Sequence, residues 1–112
     1  MKTWITQLRK GLLEFCVLNA LASTETYGYE LVQRLRTIEE LVITESTVYP
    51  ILHRLRKDGY VKSRTVASSS GPPRRYFSLT TLGKRHVGQM KDYWKDLCRS
   101  IEILMTHEGK EV

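Results

Sequence analysis

The sequence predicts a mostly α-helical fold with one small β-hairpin and a long final helix. Three observations predict it. Apolar residues recur at spacings of three and four toward both ends of the chain, and the period changes to alternation only in YVKSRTV and RRYFSLT. The segment joining those two runs, ASSSGPP, is turn chemistry. With 112 residues, 41% of them hydrophobic and 27% charged, the chain has the composition of a single soluble globular domain with one core.

The first helix is expected from Trp4 to Ala22. Ile5, Leu8, Leu12, Phe15 and Cys16 form an apolar stripe, which Leu13, Val17, Leu18 and Leu21 widen to most of the circumference, as in a buried helix. Gly11 costs about 1 kcal/mol against alanine there, so it is expected to mark close helix packing. Ser23 to Thr26 reads as a connection. In YGYELVQRLRTI, the residues Tyr29, Val32 and Leu35, with Leu31 and Ile38 beside them, predict a second amphipathic helix. Leu41, Val42 and Ile43 then either bridge as a short strand or tuck under the core.

Thr44 to Gly59 carries the third helix. Val48, Ile51, Leu52 and Leu55 give a buried face, Thr44 or Ser46 can cap the start, and Gly59 suits the position that ends it. Pro50 removes a backbone donor, so the regular helix either begins near Ser46 or bends there. The two alternating runs form a hairpin that is marginal alone and must lean on the helices, which makes it a wing. Thr80 caps the final helix, in which Val87, Met90, Trp94, Leu97, Ile101 and Leu104 form a narrow seam. Such a seam, about 30 Å or more long, would be left wet in a monomer. It is therefore expected to pack on a second copy through a two-fold interface.

This element order is that of a winged helix-turn-helix domain, over residues 1–79, followed by a C-terminal dimerisation helix over 80–112. In that geometry the third helix enters the major groove of DNA. Ser46, Thr47, Tyr49 and His53 would face base edges, with Arg54 and Lys57 nearer the phosphates. Lys62 and Arg64 on one wing strand, and Arg74 and Arg75 after Pro72 and Pro73, would reach a phosphate or the adjacent minor groove. For each of these the alternative is plain solvation, and Tyr49 could instead pack on the preceding helix.

Charge supports an anionic partner. The net charge is +6, and the segment from His53 to Arg85 holds nine of the chain's 18 basic residues against one acid, Asp58. A protein-interaction module built on the same winged helix is the competing class, since fold does not fix function. Enzyme chemistry lacks support: His53, His86 and His107 are dispersed, and neither metal-ligand nor nucleophile spacing occurs, so no metal and no cofactor is expected. Cys16 and Cys98 read as two buried thiols. No stretch has the length of a membrane span and the start lacks a secretory pattern, so a cytoplasmic location is expected.

The blocks YGYEL (27–31), STVYPILHRLRKDGYV (46–61) and GPPRRYFSLTTLGK (71–84) together resemble the PadR family of bacterial transcriptional regulators, in its short form with a single C-terminal helix. The resemblance implies a dimeric repressor that binds an inverted-repeat operator and often leaves when a small molecule binds. Family residues carry over to Tyr49 and Pro50 in the recognition helix and to Arg74, Arg75 and Tyr76 at the wing. Two departures stand out: Arg56 replaces a usual acid, and Thr65 a common wing aromatic. Trp94 is similar in position to a tryptophan that stacks on flat aromatic ligands in multidrug-binding members. Two readings of Trp94 stay open: an effector site with Met90 and Leu97 that takes a planar aromatic small molecule, or a tryptophan that only fills the dimer seam, as a position beside Leu97 and Met90 needs an aromatic for packing anyway.

Overall fold

The computed structural model describes residues 2–106. Four α-helices and three strands follow in the order α1 (Lys2–Ala22), β1 (Thr26–Tyr27), α2 (Gly28–Leu35), α3 (Glu45–Lys57), β2 (Val61–Val66), β3 (Arg74–Leu79) and α4 (Thr81–Thr106), with a 3-10 turn at Glu39–Leu41 between α2 and α3. Each helix buries one face. Leu13, Val17, Leu18 and Leu21 of α1 meet Leu31, Val32 and Leu35 of α2 and Val48, Leu52 and Leu55 of α3. Val61, Phe77 and Leu79 close this core from the sheet, and Val87 closes it from α4.

The wing is larger than a hairpin. β2 and β3 pair antiparallel from Val61↔Leu79 to Val66↔Arg74, but β1 adds a third strand on the other side of β3 through Thr26↔Phe77 and Tyr27↔Tyr76. The Ser23–Thr26 connection thus ends in a strand, too short to show an alternating pattern. Pairing along β3 binds the sheet to the start of α2, so the wing leans on the helices as expected.

Some local expectations need correction, and some open alternatives are decided. Gly11 has open space where a side chain would begin, so it marks no helix contact. The close approach is instead at Gly83, where an added Cβ would overlap the backbone carbonyl of Tyr60. Tyr29 and Ile38, expected on the buried stripe of the second helix, are exposed, and Ile38 lies beyond its end. Leu41 and Ile43 tuck into the core around Val42, which is exposed with φ of 51°. Of the two alternatives at Pro50, the helix takes the first: α3 begins at Glu45, beside Ser46, and runs on through Pro50. Its first carbonyl, Thr44 O, accepts from Thr47 and Val48, but the Thr44 hydroxyl bonds the hydroxyls of Ser46 and Thr47 and caps no amide.

The joint between reader and arm is tightly built. Gly59 adopts φ of +85° and ends α3. The Thr80 hydroxyl donates to the Gly59 carbonyl at 2.6 Å and accepts from the Gly83 amide at 3.0 Å, capping α4 while fixing it to the end of α3. Beyond this joint α4 departs from the core. Val87 is 4% exposed inside the chain's own core, which removes it from the expected dimer seam: that position is spent within one subunit. From Lys91 to Thr106 every residue is exposed. The expected helix over 80–112 is therefore seen as far as Thr106, and His107 lies outside the described residues.

Because the obstacle at Gly83 is backbone, it has no rotamer by which to yield. Gly83→Ala is expected to destabilise the fold by about 1–3 kcal/mol, as overpacking does, although alanine alone favours a helix by about 1 kcal/mol. Urea unfolding followed by circular dichroism measures this, and an unchanged or higher midpoint would contradict the close joint.

Candidate nucleic-acid interface

One side of the molecule gathers the N-terminal half of α3 and the turn between β2 and β3. Ser46, Tyr49, His53, Arg54 and Lys57 are exposed along α3, and Thr47 is half-buried. Lys62, Arg64, Arg74 and Arg75 are exposed on the strands. All the residues expected to meet DNA thus carry accessible surface, though in different electrostatic states. Among the described residues, Arg54 pairs with Glu14 at 2.8 Å and Arg64 with Glu25 at 2.6 Å. Lys57, Lys62, Arg74 and Arg75 form no ion pair with a carboxylate among the described residues.

Between α3 and the wing turn lies a trough of about 560 Å³, walled by Tyr27, Tyr29 and Tyr49 on one side and by Pro72, Arg74 and Arg75 on the other. The guanidinium of Arg74 sits 4.7 Å from the centre of the Tyr27 ring, a cation–π contact between two residues that line the trough. Tyr49 is fixed by a residue that composition and periodicity do not single out. A Cβ at Gly28 would stand 2.5 Å from the Tyr49 hydroxyl and 2.9 Å from its ring edge, so only glycine lets the ring lie down on the start of α2. Tyr49 therefore packs on the preceding helix, and 41% of its surface stays exposed. Burial pushes its phenol pKa up, and the Glu45 carboxylate adds to the rise, so the hydroxyl stays a protonated donor.

A second, apolar groove of about 640 Å³ lies between α1 and α4. Leu8, Leu12 and Phe15 line it from α1, and Met90, Trp94 and Leu97 from α4. The structure thus brings the three expected effector residues to one surface. The Phe15 and Trp94 rings meet with centres 5.7 Å apart. Trp94, Leu97, Ile101 and Leu104 remain 39%, 37%, 45% and 74% exposed, a continuous apolar strip running off the groove toward the end of α4. No metal-binding cluster occurs among the described residues, and none of their helices is long and apolar enough to cross a membrane.

Residues 17–89 match the family described as the transcriptional regulator PadR-like family. Among solved structures, a Streptococcus transcriptional regulator is 40% identical, covering 88% of this chain and 97% of that one with a TM-score of 0.78. A PadR-like transcriptional regulator from Bacillus cereus is 32% identical, covering 93% of this chain and 99% of that one, with a TM-score of 0.81. Bacillus subtilis PadR, solved in complex with operator DNA, is 25% identical; the match covers 70% of this chain and 46% of that one, with a TM-score of 0.62.

Proposed function

Because this chain belongs to the PadR-like family of transcriptional regulators, we propose that it is a dimeric, sequence-specific DNA-binding repressor whose DNA affinity is released by a planar aromatic effector. The observation that carries the DNA reading is the trough in which Arg74 and Arg75, without a carboxylate partner among the described residues, face Tyr49 of α3, a helix whose exposed start is rich in hydroxyl groups. Ser46, Thr47, Tyr49 and His53 would enter the major groove, where hydroxyl and imidazole groups can donate or accept at base edges. Lys57, Lys62, Arg74 and Arg75 would hold the flanking phosphates, with the strand that separates the two grooves lying across the tyrosine trough. An arrangement of this kind represses by occupying a promoter.

Dimerisation is supported by the bare apolar strip at Trp94, Leu97, Ile101 and Leu104, together with the partly covered Met90. A second copy packed there would place two readers on one duplex about 34 Å apart, one helical turn. The effector reading is supported by the open groove beside Trp94 and Phe15, whose rings offer stacking surfaces to a flat ligand next to that same strip.

Two measurements test the proposal. Affinity for a duplex from the protein's own promoter should fall about 10³-fold or more between about 50 and about 200 mM salt, as for proteins that neutralise six to ten phosphates. Salt-independent binding, or no retention on heparin at low salt, would point instead to a protein-docking module. In a Trp4→Phe background, Trp94 supplies the only indole, and planar aromatic dyes should quench its fluorescence. Absence of quenching across a diverse panel, with the dimer intact, leaves Trp94 as packing alone.

A further inference from the structure

We infer that Glu25 is a positioning residue that holds Arg64 off the DNA phosphates, and so sets how much of the wing's charge a duplex meets. The inference rests on the DNA-binding reading above. Glu25 lies in the connection between α1 and β1, 39 residues from Arg64 in sequence, yet the two side chains meet fork to fork. Arg64 donates from Nε to one carboxylate oxygen at 2.8 Å and from a terminal nitrogen to the other at 2.6 Å. Two parallel bonds of this length fix direction as well as distance.

The surroundings hold the guanidinium in the same place. Arg64 lies 5.4 Å from the centre of the Tyr76 ring, its cross-strand partner. Tyr76 meets Tyr27 edge-on at 5.7 Å, and Arg74 covers Tyr27 at 4.7 Å. A row of Arg64, Tyr76, Tyr27 and Arg74 thus crosses all three strands with a cation at each end. The ends differ in one respect: Arg74 borders the trough without a carboxylate, whereas Arg64 is closed by Glu25. Hydrogen bonding from Arg64 holds the Glu25 carboxyl below its usual range, with nearby Lys62 adding to the effect, so the carboxylate is ionised wherever the protein works near neutral pH.

Phosphate attraction is independent of sequence, and each contact steepens the salt dependence by a fixed amount. Subtracting Arg64 from that inventory lowers affinity for any duplex and leaves base contacts a larger share of the total. An exposed ion pair adds little stability, so removing the carboxylate charge changes the wing's electrostatics and spares the fold.

The test uses the full chain and a random-sequence duplex, with binding read by fluorescence anisotropy across salt. Glu25→Gln should steepen the slope of log K against log salt by about 0.9 per subunit, or about 1.8 per dimer. Between about 50 and about 200 mM salt it should then lose about twelvefold more affinity than the parent protein. Adding Arg64→Gln to that variant should return the parent slope. A Glu25→Gln slope equal to the parent's overturns the inference. So does a steepening that survives in the double variant, because Glu25 would then act through its own charge on DNA. A parent protein that binds no duplex overturns the DNA reading itself, a separate result. Without DNA, the Glu25 carboxyl carbon followed by NMR should titrate below the ordinary range and move up to it in Arg64→Gln. Because the folded value is the lower one, the pair's contribution is present above the ordinary glutamate range and disappears as pH falls through the lowered value. Unshifted titration in the parent protein would contradict the pairing.

Discussion

The rest of the structure depends on apolar surface along α4 that no element among the described residues covers. Three helices and a three-stranded sheet complete the core, and Val87 is the last residue of α4 buried in it. The helix then continues to Thr106 with Trp94, Leu97, Ile101 and Leu104 still partly or largely in water. The consequence is visible in shape: the radius of gyration is 17.0 Å, against about 13 Å for a compact domain of about 100 residues. In the dimer proposed above, a second copy would dry this arm.

That constraint also ties the two ends of the molecule together. The Thr80 hydroxyl bridges the Gly59 carbonyl and the Gly83 amide, and Gly83 packs against the Tyr60 carbonyl, so the direction of α4 is rigidly related to that of α3. On the far side of the same joint, Tyr60 and His86 stack with ring centres 4.1 Å apart, and His86 also borders the groove beside Trp94. A second copy paired along this arm, as proposed, would therefore set the distance and angle between two α3 helices. A ligand wedged into the groove would act on that angle through packed groups, without needing to touch the DNA-facing side.

Much of this was legible in the sequence, and the illegible remainder has physical causes. Val48, Leu52 and Leu55 announced their helix face because burial follows the helical period, and Gly59 and Thr80 announced its neighbours because ends have their own chemistry. Arg74 and Arg75, placed beside two prolines, announced the wing. The two residues of β1 carried no period to detect. Val87 fitted the seam pattern equally well as core, because spacing shows which residues share a face and not which neighbour covers it. Tyr29 failed for the same reason. Gly11 and Gly83 look alike in sequence, and only the approach of the Tyr60 carbonyl separates them. The pairing of Glu25 with Arg64 and the resting of Tyr49 on Gly28 join residues distant along the chain, which local patterns do not record.

Sedimentation velocity of the full-length protein over a dilution series measures most directly whether a second copy dries the arm, with Ile101→Glu as the companion variant. The account predicts a species of twice the chain mass in the parent protein and a single chain when a charge is placed at Ile101 in the strip. A parent protein that sediments as one chain at micromolar concentration, or a dimer indifferent to the charge at Ile101, would contradict it.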